Sequence, residues 1–152
     1  MKNLKFRAKR YSDGEWVYGS GVIFCDDCCF IDKRDECYIQ RPYAFRGNTH
    51  FIELASVMCL DNTVCQFTGI KDKNGKEIYD GDIIRSFDSN KNEIIHYITW
   101  RETEARFVAV YDDNNKWHID LTCGLYQKWI DEYGKEIIGN IHDNPEILII
   151  NK

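Results

Sequence analysis

The stretch Cys65-Gln66-Phe67-Thr68-Gly69-Ile70-Lys71-Asp72-Lys73-Asn74-Gly75-Lys76-Glu77-Ile78-Tyr79-Asp80-Gly81-Asp82-Ile83-Ile84 constrains this chain more than any other, because it sets three glycines at turn positions between apolar pairs. Lys73-Asn74-Gly75-Lys76 predicts a type I′ hairpin turn, since Asn and Gly tolerate the positive φ that such a turn demands. Gln66 to Ile70 forms one arm, with Phe67 as a core anchor. Glu77 to Tyr79 opens the other, with Ile78 facing the same interior. Asp80-Gly81-Asp82 is a second break, in which Gly81 takes a strained conformation and the Asp82 carboxylate accepts from nearby backbone N–H groups. Ile83, Ile84 and Phe87 begin a further strand.

The glycines do not read as a phosphate cradle. The spacing Gly69-x5-Gly75-x5-Gly81 fits neither the Walker pattern nor GxGxxG, and Lys76-Glu77 is no Lys-Ser/Thr pair. A Gly-Asp pair before aliphatic residues also occurs where small SH3-like barrels bend a strand, which bears on fold and not on function.

Turn signals recur elsewhere at intervals of about ten residues, the pattern of a mainly β chain. Leu4 to Arg10 and Trp16 to Phe24 pair around Ser12-Asp13-Gly14. Phe30 to Asp32 and Tyr38 to Ile39 are weaker strands, Arg41 to Thr49 is a loop, and Phe51 to Leu60 fits strand and short helix equally. Ile94 to Trp100 carries apolar groups on both faces, as a central strand does. Arg106 to Tyr111 follows, then the loop Asp112-Asp113-Asn114-Asn115 and the return Lys116 to Leu121. Leu125, Tyr126, Trp129, Ile130 and Tyr133 recur at helical spacing and predict one short amphipathic helix, with Gly134 as its C-terminal cap. Glu136 to Ile141 is the final strand, and Asp143-Asn144-Pro145 turns the chain into Glu146 to Ile150.

Hydrophobic residues at 43 % and aromatics at 14 % specify a folded chain. A length of 152 residues holds one domain, or one with a smaller appendage. The net charge of −5 disfavours a protein that coats nucleic acid, which needs an excess of Lys and Arg. The exception is local: Lys5, Arg7 and Lys9 alternate with Phe6 and Ala8, and with Arg10 they form a candidate basic patch. Its plainest reading is a half-buried strand with a solvated basic face. With no apolar run of about 18 residues and no signal-like N-terminus, the expected setting is the cytoplasm, with no membrane contact.

Seven cysteines suit free thiols better than a disulfide framework. Cys25, Cys28, Cys29 and Cys37 include a C-x2-C spacing, and Cys37 and His50 complete a zinc set on paper, but no second knuckle exists. A redox C-x-x-C is weaker still without a βαβ context. No metal or cofactor is expected. His50, His96, His118 and His142 are scattered; His118 and Asp120 would share a strand face, yet no nucleophile accompanies them. Asp80 and Asp82 are explained by turn capping without a cation. No catalytic residue is assigned.

The Cys65–Ile84 run resembles the signature of the YopX family of phage and prophage proteins, a family without an assigned biochemical role. The closing segment Ile137-Ile138-Gly139-Asn140-Ile141-His142-Asp143-Asn144-Pro145-Glu146-Ile147-Leu148 and the opening Lys5-Phe6-Arg7-Ala8 and Trp16-Val17-Tyr18-Gly19 are similar to the same family, so nearly the whole chain is covered. Two features depart from it: Cys65 stands where a small residue is usual, and the cysteine-rich insert from Cys25 to Cys37 has no counterpart. The resemblance implies an SH3-like barrel core over residues 61–152 behind an N-terminal β-hairpin and variable extension over 1–60. It also implies self-association and a phage or prophage origin, and it supplies no catalytic residues. Gly69, Asn74, Gly75, Gly81, Asp82, Gly139, Asn140 and Pro145 are expected to be structural.

Three functional classes follow. The first is a non-enzymatic accessory protein acting by contact with itself and with an unidentified host or phage protein. Trp16, Trp100, Trp117 and Trp129 are its candidate aromatic anchors, although core packing is the plain reading of each and above all of Trp100. The second is a nucleic-acid-associated regulator using Lys5, Arg7, Lys9 and Arg10, and the third a small enzyme or metal-dependent factor.

Overall fold

A computed structural model of the chain describes residues 4–24, 29–32, 56–113, 116–119 and 125–150. The chain divides into two compact units, Met1–Gln66 and Phe67–Lys152, beside the 60/61 boundary read from the sequence. The segments Tyr38 to Ile39 and Arg41 to Thr49 lie outside the described residues, as do Cys25, Cys28, Cys37, His50 and Asp120.

The first unit holds β1 (Phe6–Lys9), β2 (Trp16–Gly19), β3 (Gly21–Phe24), β4 (Cys29–Asp32) and β5 (Ser56–Cys59). β1 and β2 form the expected hairpin, Phe6 facing Gly19 and Lys9 facing Trp16. Its turn is closed by the Gly14 N–H donating to the Arg10 carbonyl at 2.9 Å. The strand expected over Trp16 to Phe24 is broken: Gly19-Ser20-Gly21 leads the chain out of the β1–β2 pairing and into an antiparallel sheet of order β3-β4-β5. Glycine interrupts strands in this way because it adds no cross-strand packing and bends freely. The ambiguous Phe51 to Leu60 segment yields a strand at Ser56–Cys59. Ala8, Val17, Cys29, Ile31 and Cys59 make the core of this unit.

The chain passes between units inside β6 (Cys65–Lys71): Cys65 and Gln66 pair with β1, and Phe67 and Lys71 pair with β7 (Glu77–Tyr79). The second unit continues with β8 (Asp82–Phe87), β9 (Glu93–Arg101), β10 (Arg106–Asp113), β11 (Lys116–Ile119), α1 (Gln127–Glu132), β12 (Glu136–Asn140) and the single turn α2 (Ile147–Ile150). Its main sheet is antiparallel, in the order β11-β10-β9-β8-β12. β9 is central as read, with His96 and Ile98 buried on one face while Ile83, Val108 and Val110 are buried on the neighbouring strands. Asp112 and Asp113, expected in a loop, belong to β10 and pair with Trp117 and Lys116 of β11.

α1 spans six residues, too few to be stable alone. It holds because Trp129 and Ile130 sink into a core with Ile70, Ile78, Ile84, Ile98 and Ala109; burying Ile130 contributes about 1.5–3 kcal/mol. The helix ends in the motif that Gly134 predicts. Gly134 is left-handed (φ +56°), and the Lys135 N–H donates back to the Ile130 carbonyl at 3.1 Å.

The architecture is therefore mainly β with a short helix near the C-terminus, but the closed SH3-like barrel expected for the second unit is absent among the described residues. β11 and β12 stand at opposite ends of the sheet order and do not pair. At β6, the Gln127 side chain takes the place a neighbouring strand would fill. Its Oε1 accepts from the Lys71 N–H at 3.0 Å and its Nε2 donates to the Lys71 carbonyl at 2.9 Å.

Candidate functional site

In the first unit, the basic strand is not the solvated face expected from its alternation. Arg7 is only 4 % exposed. Its guanidinium carbon lies 4.5 Å from the Trp16 ring centre, with the Lys9 ammonium 5.7 Å from the same ring. Arg10 is the neighbour of Lys9 in the strand and so belongs to the other face; its Nη1 is paired with the Asp13 carboxylate at 2.7 Å. The four basic residues are thus not one patch. Arg7 and Lys9 are gathered on Trp16, and Arg10 serves the hairpin turn.

The same end of β1 carries an apolar surface. Arg10, the residue after β1, forms an isolated bridge with Cys59 at the end of β5, flanked by the Tyr11 N–H donating to the Met58 carbonyl at 3.0 Å and the Leu60 N–H donating to the Lys9 carbonyl at 2.8 Å. This register sets Tyr11 opposite Met58, and Leu60 one step along, on the face away from the buried Cys59. Tyr11 is 61 % exposed, Met58 40 % and Leu60 36 %. Three adjoining apolar side chains in water are the kind of surface that marks a contact site.

In the second unit, the two halves of the glycine-bearing signature meet. Asn140 pairs with Asp82 and Gly139 with Ile83 between β12 and β8. Gly81 is left-handed (φ +78°); its N–H donates to the Ile98 carbonyl and its own carbonyl accepts from the Ile141 N–H, at 2.8 and 2.9 Å. Asp82 is buried and its Oδ2 accepts from the Tyr79 N–H at 2.7 Å, the turn-capping role expected of it. Asn140 Oδ1 accepts from the N–H groups of His142 and Asp143. Gly139 is needed for close approach: a Cβ there would lie 2.7 Å from Asn144 Oδ1. Pro145 follows in the same turn, its carbonyl accepting from the Leu148 N–H. Gly69 sits at an irregularity in the β6–β7 register.

The Asn74-Gly75 turn forms, but not as type I′. Gly75 alone is left-handed (φ +82°), while Asn74 is not. The Gly75 N–H donates to the Asp72 carbonyl and the Asp72 N–H to the Lys76 carbonyl, which is a type I turn closed by a glycine bulge. The reason is Asp72, a residue to which the sequence reading gave no role. Its buried carboxylate accepts from the N–H groups of Asn74 and Lys76 at 2.8 and 2.9 Å and, 65 positions away, from that of Ile137 at 3.2 Å. An aspartate just before Asn-Gly was the available signal, since Asx turns stabilise type I geometry.

Beside this turn, Glu136 is held by Lys73 at 2.6 Å and by Arg85, which also reaches Glu93 at 3.4 Å. Hydrogen bonds from Lys73 and then Arg85 lower the Glu136 carboxyl to about 2. Burial, and then the nearby Asp80 charge, raise the Tyr97 phenol.

The tryptophans fall differently from the expectation that Trp100 is core. Trp100 is 44 % exposed, its ring edge-on to Phe107 at a centre distance of 5.1 Å, whereas Trp129 is 5 % exposed. The Trp129 ring carries the Lys135 ammonium 3.5 Å from its centre and stands edge-on to buried His96 at 5.5 Å. Trp100 lies one residue before the end of β9. Trp117 and His118 lie in β11. Among the described residues no group of three or more His, Cys, Asp and Glu is placed to hold a metal ion, and no helix is long and apolar enough to cross a membrane.

A family model described as YopX protein matches residues 5–149. The crystal structure of protein EF1440 from Enterococcus faecalis aligns with a TM-score of 0.58 at 28 % identity, covering 95 % of this chain and 97 % of that one. No curated protein matches the chain.

Proposed function

The chain belongs to the YopX family, and from that membership we propose that it is a non-enzymatic accessory protein of phage or prophage origin, acting by contact with itself and with a protein partner. The observation that carries this reading is the exposed Tyr11–Met58–Leu60 surface on the β1–β5 junction. Large apolar side chains side by side in water favour association, and aromatic anchors of this kind supply most of the energy of protein contacts. Trp100 adds an exposed aromatic in the second unit.

A nucleic-acid role is the second reading, supported by Lys9 beside Trp16 and the exposed Tyr18 on one strand pair. It is weaker because Arg7 is buried against Trp16 and Arg10 is paired with Asp13, which leaves few cations for phosphate. Sedimentation of the full chain separates the two. Tyr11→Ala with Met58→Ala should weaken self-association at least about tenfold, the equivalent of one well-buried contact. Replacing Lys5, Lys9 and Arg10 by Ala should leave association unchanged. A monomer that binds DNA or RNA through those three cations, with affinity falling steeply as salt rises, would reverse the order.

A further inference from the structure

The first unit buries two thiols directly across from one another. Cys29 in β4 is the register partner of Cys59 in β5; neither is in a disulfide, and both are fully buried members of one core cluster. Residues opposite each other on antiparallel strands project from the same face. The type of pair follows from the neighbours: Met58 and Leu60 direct their backbone groups at β1, so Cys59 between them directs its own at β4. The two cysteines are therefore a hydrogen-bonded pair, with Cα atoms about 5.5 Å apart, inside the disulfide range of about 4.4–6.8 Å. Their Cβ atoms lie at the wide end of cross-strand spacing, beyond the usual disulfide value of about 3.8 Å. A bond made there draws the strands together and is easily reduced.

We propose that Cys29 and Cys59 are a redox pair that closes reversibly into a disulfide joining β4 to β5. The reaction partner is a small-molecule disulfide such as oxidised glutathione. One cysteine thiolate attacks a reagent sulfur, the reagent S–S bond breaks, and the first reagent thiol leaves. The second cysteine thiolate then attacks the protein sulfur of the mixed disulfide, forming the Cys29–Cys59 bond and releasing the second reagent thiol. Two electrons pass from the pair to the reagent, and the two cysteine protons end on the released thiols. Cys65 is excluded by position. It pairs with Arg7 and so takes the face of β1 opposite to Ala8, against which Cys29 and Cys59 pack. Because both thiols are buried, exchange proceeds through partings of β5 from β4 and is slower than at an exposed thiol.

The test uses the intact reduced protein in glutathione buffers of stepped oxidised-to-reduced ratio, blocked by alkylation and mapped by mass spectrometry without reduction. A Cys29–Cys59 cross-linked peptide should grow with the oxidised fraction and vanish when reduced glutathione is restored, while Cys65 stays alkylated and the β circular dichroism is kept. Cys59→Ala should halt at glutathione on Cys29. Should that variant fail to fold, the map of the unaltered protein decides alone. Cys29 and Cys59 both alkylated at the most oxidising ratio, or joined only to other cysteines, overturns the proposal.

Discussion

Gly75 has a left-handed backbone and open space where a Cβ would sit, so Gly75→Ala meets a backbone penalty without a clash. It should destabilise by about 1 kcal/mol in chemical denaturation. Gly81, buried and hydrogen-bonded on both sides, should cost at least as much on the same change. If both variants melt like the parent, the turns do not depend on these conformations. Asp72→Ala removes a buried carboxylate that serves three N–H groups on two segments. A loss of about 1.5–3 kcal/mol is expected, the usual value of hydrogen bonds to a charged group. Glu136 makes a pH-dependent contribution. Its folded value is depressed to about 2 from an ordinary 4.5, so the stabilisation is complete above the ordinary value and is lost as pH falls toward 2. The stability gap between the protein and its Glu136→Gln variant should therefore narrow between about pH 5 and pH 2. A gap that stays constant over that window would mean that the Lys73 and Arg85 pairs contribute nothing.

α1 illustrates at the scale of an element how a weak helix is held. Tyr126, the residue before it, makes no side-chain cap, so the helix depends on its buried face and on Gln127. Trp129→Ala should cost about 3–5 kcal/mol, the range for deleting a large core aromatic, and should leave Lys135 without the ring it covers. Gln127→Ala should cost far less, because Gln127 is exposed, yet it uncovers the Lys71 backbone groups at the edge of β6. Faster amide exchange at Lys71, with little change in melting temperature, is the expected outcome. Unchanged protection there would show that the side chain does not cover the edge. The β1–β2 hairpin makes the complementary point about charge: a row of Lys and Arg ends as a stack on Trp16, because guanidinium and ammonium groups lie favourably over an indole face.

On the scale of the whole molecule, the exposed apolar side chains and the net charge of −5 make opposite demands on association. Apolar contact favours it, and like charge opposes it. Self-association through Tyr11, Met58 and Leu60 should then hold or strengthen when salt rises from about 0.05 to 0.5 M, since salt screens the repulsion and leaves apolar burial intact. Light scattering across that range measures it. An assembly that dissolves as salt rises would instead be held by ion pairs.

The features legible in the sequence are those whose cause lies within a few residues. The turn at Asn74-Gly75, the break at Gly81, the cap at Gly134 and the alternation of β9 follow from local conformational preference and period, and each stands close to where it was read. The type of the Asn74-Gly75 turn was missed by one neighbour, Asp72, whose third partner is Ile137. Long-range geometry accounts for the rest. An alternating Lys-Phe-Arg-Ala-Lys cannot say that its arginine is buried, because that depends on Trp16 arriving from the next strand. Nor does the alternation of β9 say that Trp100, expected in the core, stands exposed while Trp129 is buried as its helical spacing predicts. The facing of Cys29 and Cys59 depends on the register of two strands with 23 residues of chain between them. Local chemistry determined where this chain turns; only the pairing of distant strands decided what those turns bring together, since burial is a property of neighbours that the sequence does not list in order.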